Sequence, residues 1–375
     1  MPEYRSSALL RLPVDVAVDM ATSIWRWLDT GIRPAVENMA LNRALLEAQQ
    51  QGGSPCTVRV LGFEPAALLG FHQSAAQELD LEYCAEHGIG IQRRITGGGA
   101  IYMDQNQLGW ELYANKQAMG TAQMSEIAAR LCHAVAQALQ ALGVNAVFRP
   151  RNDIEVDGRK ISGTGGAFDG DALMYQGTLL MRLNVEIMLG ALRIPAEKLA
   201  DKAVASARER VTSLEQLLGK VPERTEIVAA LRTALAEALN AEFVDQNLTE
   251  NELVDYQAAL QEMSQPEWVH MVQSPASDRP VFQAAKRFAA GSLRVNVALD
   301  APQQRIRQVW FSGDVFVSPR RTLIDLESRL RDVLLDRMAI EVQNFFAERN
   351  VDMLGLTVQD IVALLTAACA EQKTE

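Results

Sequence analysis

The sequence predicts an α+β protein: mixed sheets flanked by helices, followed by a second, smaller α+β part. Three observations carry this. Apolar stripes at helical spacing are interleaved with runs that alternate at strand spacing. Asp157-Gly158 joins two short alternating runs into a β-hairpin with a two-residue turn. A polar stretch near 264–290, with Pro266, Pro275 and Pro280, divides the chain. A length of 375 residues leaves room for two or three cores.

Taken in order, residues 1–34 read as an extension, with "VDVAVDMATSIWRWLDTG" as a short amphipathic helix stopped by Gly31. From Pro34 to Gln51, Met39, Leu41, Leu45 and Leu46 give a helix its apolar stripe, and Gly52-Gly53 ends it. "CTVRVLG" and "AALLG" are strands, and "DLEYCAEHG" is a short helix closing at Gly88. "IGIQRRIT" alternates, with Ile89, Ile91, Arg93 and Ile95 on one face and Gly90, Gln92, Arg94 and Thr96 on the other. "IYMDQNQLGWELYAN" gives strand, turn and strand. Ile127, Leu131, Val135, Leu139 and Leu142 mark a long helix stopped by Gly143. "YQGTLLMRLN" is a strand, residues 225–242 a helix, and Thr249 with Glu252 has capping-box spacing. Beyond the divide, "SLRVNVALD" and "IRQVWFSGDVFVS" are strands, the latter turning at Ser312-Gly313-Asp314, and "TLIDLESRLRDVLLDRM" and "TVQDIVALLTAACA" are helices.

The expected organisation is therefore an extension over 1–34, a first domain over 35–255, a linker over 256–284 and a second domain over 285–375. The formal charge of −11, from 36 basic and 47 acidic residues, argues against nucleic acid bound by a broad basic surface. Any anion site must be local. Cys56, Cys84, Cys132 and Cys369 lie far apart and do not cluster with the four histidines, which argues against a zinc site or a disulfide framework. A reducing cytoplasm is the expected compartment. Asp15, Asp19 and Asp29 do not suit a signal peptide, and no apolar run approaches the ~20 residues that span a bilayer.

Two stretches can carry chemistry. In "RRITGGGAIYMD", three glycines leave backbone N–H groups open to an anion or a flat ring. Arg94 would deliver a forked cation into the same cleft. The plainer alternative is a glycine-rich bend beside a solvated arginine. In "RPRNDIEVDGRKISGTG", Asp153 and Lys160 fall on opposite strands of the hairpin, near Asn152 and the Ser162-Gly163 exit. A carboxylate can hold Mg2+ and a lysine can neutralise charge on a phosphoryl group. The plainer alternative is a surface ion pair of little consequence. No P-loop is present, and "GTGGAFDG" is neither in register for a dinucleotide fingerprint nor at the start of a helix.

"RRITGGGAIYMD", "RNDIEVDGRKISGTG" and "YQGTLL", in that order, resemble the lipoate–protein ligases of the biotin/lipoate ligase superfamily. "FEPAALLGFHQ", "DLEYCAEHGIGIQRR" and "SARERVTSLEQLLG" add to the likeness, which covers roughly 35–255. "GSLRVNVALD" through "IRQVWFSGDVFVSP" is similar to the accessory domain of many such ligases. The resemblance implies two-step transfer: lipoate attacks the α-phosphorus of ATP, and a lysine of an acceptor protein then displaces AMP. It implies Lys160 between the carboxylate and the α-phosphate. Arg94, Thr96, Gly97, Gly98 and Gly99 would hold the phosphate side, and Asn152 and Asp153 the adenine and Mg2+. Ser162, Gly177 and Thr178 would line the site, and Leu61, Ala67 and Leu69 an apolar slot for the dithiolane. The acceptor would be a lipoyl domain of a 2-oxoacid dehydrogenase, the glycine-cleavage H protein or a lipoate-binding protein of sulfur oxidation. Met103 and Gln176 stand where many members carry histidine.

Three rivals remain. An octanoyl or lipoyl transferase of the superfamily needs a cleft thiolate, and no cysteine lies in the three motifs. Biotin ligases carry a "GRG" signature that is missing here. A non-catalytic lipoate-binding homologue would not need Lys160, Asp153 and Arg94 intact.

Overall fold

The structure, a computed structural model, describes residues 22–150, 152–193, 209–273, 277–289 and 291–370. An eight-stranded mixed sheet dominates it. Its strands are β1 (Ser23–Arg33), β2 (Thr57–Phe63), β6 (Gln107–Asn115), β7 (Val147–Arg149), β8 (Asp153–Val156), β9 (Arg159–Asp169), β10 (Ala172–Leu180) and β11 (Ala241–Asp245), in the order β11-β1-β2-β6-β10-β9-β8-β7. Only the β1 pairings with β11 and β2 are parallel. A three-stranded sheet, β4-β3-β5, consists of β3 (Ala66–Leu69), β4 (Gly90–Arg93) and β5 (Ile101–Met103). Further on, β12 (Val281–Phe288), β13 (Gly291–Asp300) and β14 (Arg305–Gly313) form a meander, and β15 (Val317–Ser318) pairs with β16 (Asp352–Met353). The α+β class is the one expected.

Alternation along the strands sorts side chains into separate cores. One face of the large sheet buries Trp110, Leu112, Tyr175 and Leu179 under the helices Met124–Ala141 and Arg224–Leu239. Ile127, Leu131, Val135 and Leu139 supply the helical side, each worth about 1.5–3 kcal/mol when fully buried. The other face meets the helix Ala35–Gln50 and one side of the small sheet, through Leu61, Leu68, Met103 and Met174. The outer side of the small sheet packs Ala67, Leu69, Cys84 and Tyr102. Residues 293–368 bury a core of their own.

Four expectations need correction. Ser23–Arg33 is not a helical extension but a strand inside the main sheet. Its period is two: Trp25 and Trp27 enter one core, while Arg26 and Leu28 are buried on the opposite face. The rest of the predicted extension, residues 1–21, lies outside the described residues. Within 256–284, the capped helix Glu250–Met263 runs past the expected boundary, a second helix spans Pro266–His270, and β12 begins at Val281. The predicted helix 322–338 is two, Thr322–Arg329 and Met338–Ala347, parted by turns in which Asp332 takes φ 62°. The helix predicted over 225–242 ends at Leu239, where left-handed Asn240 caps it and β11 begins. Among the described residues no helix is long and apolar enough to cross a membrane.

The capping box at Thr249 and Glu252 forms as its spacing predicts, and Glu252 does more. Its carboxylate takes both Nη groups of fully buried Arg26 at 2.6 Å each, closing the helix onto β1. Burial raises the Glu252 pKa, but hydrogen bonds from Arg26, Ser54 and the Thr249 N–H, with the charge of Arg26, outweigh it and leave it lowered.

Candidate functional site

The hairpin β8–β9 turns on Asp157 (φ 50°) and Gly158 (φ 75°). Pairing then slips between Ile154 and Glu155, so that β9 carries one extra residue, Ile161. Ile161 and Ser162 both point into the helix-side core, and the parity of the strand is reset. Lys160 and Gly163 consequently share the opposite face, where Asp153 pairs with Gly163. The Lys160 side chain lies across bare Gly163: a Cβ there would sit 2.7 Å from Cε and Nζ. Lys160 Nζ meets Asp153 Oδ1 at 2.6 Å. The side chains keep 38% and 26% of their exposure, so the ion pair is open to a ligand.

Register places the neighbours. Gly163 pairs with Thr178, and Gly165 with Gln176, on β10. Asp153, Lys160, Gly163, Thr178 and Gln176 therefore share one face, which forms a floor. The glycine loop lies over it, since Gln176 Nε2 donates to Thr96 Oγ1 at 3.3 Å. Two strand spacings separate Thr178 from Asp153, roughly 10 Å.

Through the bond from Gln176, Thr96, with Gly97, Gly98 and Gly99 following it in the chain, is brought to the face that carries Asp153, Lys160 and Thr178. Asn152 flanks it, its Nδ2 donating to Thr164 O at 2.9 Å. Ser162 and Gly177 do not line the cleft. They face the helix-side core, where the Trp110 indole covers Gly177 (a Cβ would lie 2.4 Å from the ring) and Ser162 Oγ is buried without a partner among the described residues. The bulge reverses Ser162, and odd parity on β10 reverses Gly177. Ala67 and Leu69 are not slot residues beside Leu61 either. They pack in the outer core, whereas Leu61 belongs to the core between the sheets.

Arg94 also differs from expectation. β4 ends at Arg93, and the chain bends so that Arg94 is only 6% exposed. Its Nη1 donates to Leu68 O at 3.2 Å, and its Nη2 to Gly97 O and Gly99 O at 3.1 and 3.0 Å. It clamps the loop from within instead of offering a free fork, and Nε has no partner among the described residues. Burial pushes its pKa down to about 10. The glycines admit the C-terminal part as well. A Cβ on Gly97 would lie 2.3 Å from Val315 O, and one on Gly98 (φ +95°) would lie 2.9 Å from Phe316 Cζ. Motif reading named Gly163 only as part of the hairpin exit and Gln176 only where relatives carry histidine, and it did not single out Phe316. "SGTG" on the hairpin strand was a signal for the first, and the "YQG" register for the second. Phe316 had none.

No group of three or more metal-binding side chains occurs among the described residues. Asp153 offers one carboxylate, and Glu155 is held by Arg149 at 2.6 Å. That donor set fits Mg2+ taking its other ligands from phosphate and water. Burial raises the pKa of all four cysteines, Cys369 to about 11. Cys132, on the helix side, sits 3.4 Å from Thr164 Oγ1 and 3.6 Å from the Tyr175 hydroxyl, while His133 turns away to the Ala129 carbonyl.

The family described as lipoyl protein ligase A/B catalytic domain matches residues 34–236. The octanoyltransferase LipM of Moorella thermoacetica is 28% identical over 256 residues, 62% of this chain and 93% of that protein. The lipoate-protein ligase LplJ of Bacillus subtilis is 26% identical over 313 residues, 80% of this chain and 88% of its own. Among solved structures, the bipartite lipoate protein ligase of Thermoplasma acidophilum, studied with its E2 lipoyl domain, superposes with a TM-score of 0.60 at 26% identity, covering 68% of this chain and 99% of that one.

Proposed function

The chain belongs to the lipoyl protein ligase A/B catalytic domain family, and from that premise we propose ATP-dependent ligation of lipoate to a lysine of an acceptor protein as its activity. The observation that carries this is Lys160, over Gly163 and beside Asp153, while Cys84 and Cys132 are buried, Cys56 and Cys369 are partly buried, and the pKa of all four is raised. A carboxylate attacking a triphosphate brings two anions together, and a positioned ammonium at the meeting point offsets their repulsion. Asp153 orients Lys160 through their ion pair. Lys160 stabilises the charge that develops at the α-phosphorus as pyrophosphate leaves. In the second step the acceptor amine attacks the acyl carbon and AMP departs, its phosphate still facing Lys160. Arg94 acts through the loop, holding the Gly97 and Gly99 carbonyls so that the backbone N–H groups can face the acyl-adenylate. Asp153 would hold Mg2+, which would neutralise phosphate charge when bound.

Several things support a ligase over a transferase. A thioester mechanism needs a thiolate, and burial disfavours one at each cysteine. The ligase LplJ also aligns across 80% of the chain, beyond the 62% shared with LipM. The likeness to LipM keeps octanoyl transfer as the second reading. The acceptor we propose is a lipoyl domain of a 2-oxoacid dehydrogenase, with the glycine-cleavage H protein and a sulfur-oxidation lipoate-binding protein as the other members of a test panel. Purified protein given ATP, Mg2+ and lipoate should exchange labelled pyrophosphate into ATP. Acyl transfer from an octanoyl carrier protein without ATP, and no such exchange, would replace the ligase with the transferase.

A further inference from the structure

We propose that Arg93 is a positioning residue: one buried guanidinium ties the helix Pro266–His270 to the strand that feeds the glycine loop, and so sets the loop and the C-terminal part in register. Arg93 is 0% exposed and no carboxylate pairs with it among the described residues. Its charge is spent on four carbonyls. Nη1 donates to Gly70 O at 2.9 Å and Phe71 O at 2.8 Å. Nε donates to Trp268 O at 3.1 Å, and Nη2 to Val269 O at 2.6 Å. Trp268 answers, its Nε1 donating to Arg93 O at 3.1 Å.

The two carbonyls on the other side belong to a turn that touches both neighbours. A Cβ on Gly70 would lie 1.8 Å from Gly98 O, so turn and loop are in backbone contact. The Phe71 N–H donates to Thr96 O at 2.9 Å, and the Gly313 N–H donates to His72 O at 2.9 Å. Gly70–His72 is thus sandwiched between the glycine loop and the end of β14, and Arg93 holds it against the helix Pro266–His270. Arg94 clamps the loop, while Arg93, one residue earlier, clamps what the loop rests on. A lysine's three N–H donors share a single nitrogen and cannot reach the carbonyls on both sides that Nε, Nη1 and Nη2 of Arg93 reach.

The test is hydrogen exchange on the full chain with Arg93→Lys. Exchange should rise together at 70–72, 94–99, 266–270 and 312–316, by the five- to tenfold or so that one lost hydrogen bond is worth. The helices Met124–Ala141 and Val358–Ala370 should not change. Trp268→Phe, which removes the indole donor together with part of the ring that meets Phe71 edge-on, should give the same pattern at lower amplitude and decides the matter if Arg93→Lys does not fold. Gln92→Leu, which frees the Met263 carbonyl and the Arg93 N–H, should affect only 92–93 and 263–270. A rise confined to 266–270, or one spread evenly over the chain, overturns the proposal. A second arm rests on the ligation reading: Arg93→Lys should raise KM for ATP more than it lowers kcat, and an unchanged KM counts against the proposal. Exchange needs no turnover, so a failure of the ligation reading leaves the first arm intact.

Discussion

The two faces of the eight-stranded sheet are made by the same strands and differ in everything else. On the helix side, Trp110, Tyr175, Ile161 and Cys132 are buried and close-packed. On the cleft side, Gly163 and Gly165 of β9 pair with Thr178 and Gln176 of β10, and Lys160 and Asp153 stay half-open. A second contrast runs within the ionic groups. Arg26 and Glu252 form a pair sealed in the scaffold, whereas Lys160 and Asp153 form one that a ligand can reach. The difference teaches that placement relative to the sheet, more than residue type, separates an ion pair sealed in the scaffold from one that a ligand can reach.

Four substitutions sharpen or break this contrast. The largest effect should come from Lys160→Ala. Adenylation should fall by at least about 100- to 1000-fold, while the melting temperature hardly moves, because half-exposed pairs contribute little. A large fall in both would make the pair structural. Next is Glu252→Gln, which leaves the buried Arg26 charge uncompensated and should cost about 3–5 kcal/mol in urea unfolding. The Glu252 pKa is lowered in the folded state. Its contribution is therefore present above the unfolded value near 4.5 and fades as pH falls through the folded value. The gap between wild type and Glu252→Gln should narrow on acidification, and a gap that stays constant down to about pH 3 would remove the pair from the account of acid stability.

Gly163→Ala comes third. The added Cβ displaces the Lys160 side chain, a flexible end, so kcat should drop about tenfold or more with little loss of stability. Activity at the wild-type level would mean that Lys160 need not lie across Gly163. The smallest effect belongs to Cys132→Ala. It should cost about 1 kcal/mol of stability and leave ligation unchanged, whereas loss of acyl transfer with the fold intact would restore the thioester mechanism.

Much of the site was legible in the residues. The hairpin turn, the meeting of Asp153 and Lys160 across it and the capping box follow from turn chemistry and spacing, which are local, whereas a glycine loop beside them was implied only by the family resemblance. What misled was parity. Ser162, two residues from Lys160, would share its face in a regular strand, and the bulge at Ile161 reverses that. Ala67 and Leu69 were grouped with Leu61 by hydrophobicity, but they point away from it across the small sheet. Ser23–Arg33 has apolar residues that also fit a helix, and only pairing to β2 and β11 makes it a strand.

By itself the sequence determined the α+β class, the hairpin and its turn, and the pairing of Lys160 with Asp153. These depend on near neighbours and on spacing along the chain. Only the tertiary structure decided that Arg94 turns inward to clamp the loop, that Arg93 holds the helix after Gln265, and that Phe316 packs on Gly98. Those contacts join residues far apart in sequence. A buried guanidinium takes whichever carbonyls the packing brings within reach, and no local pattern encodes which ones those are.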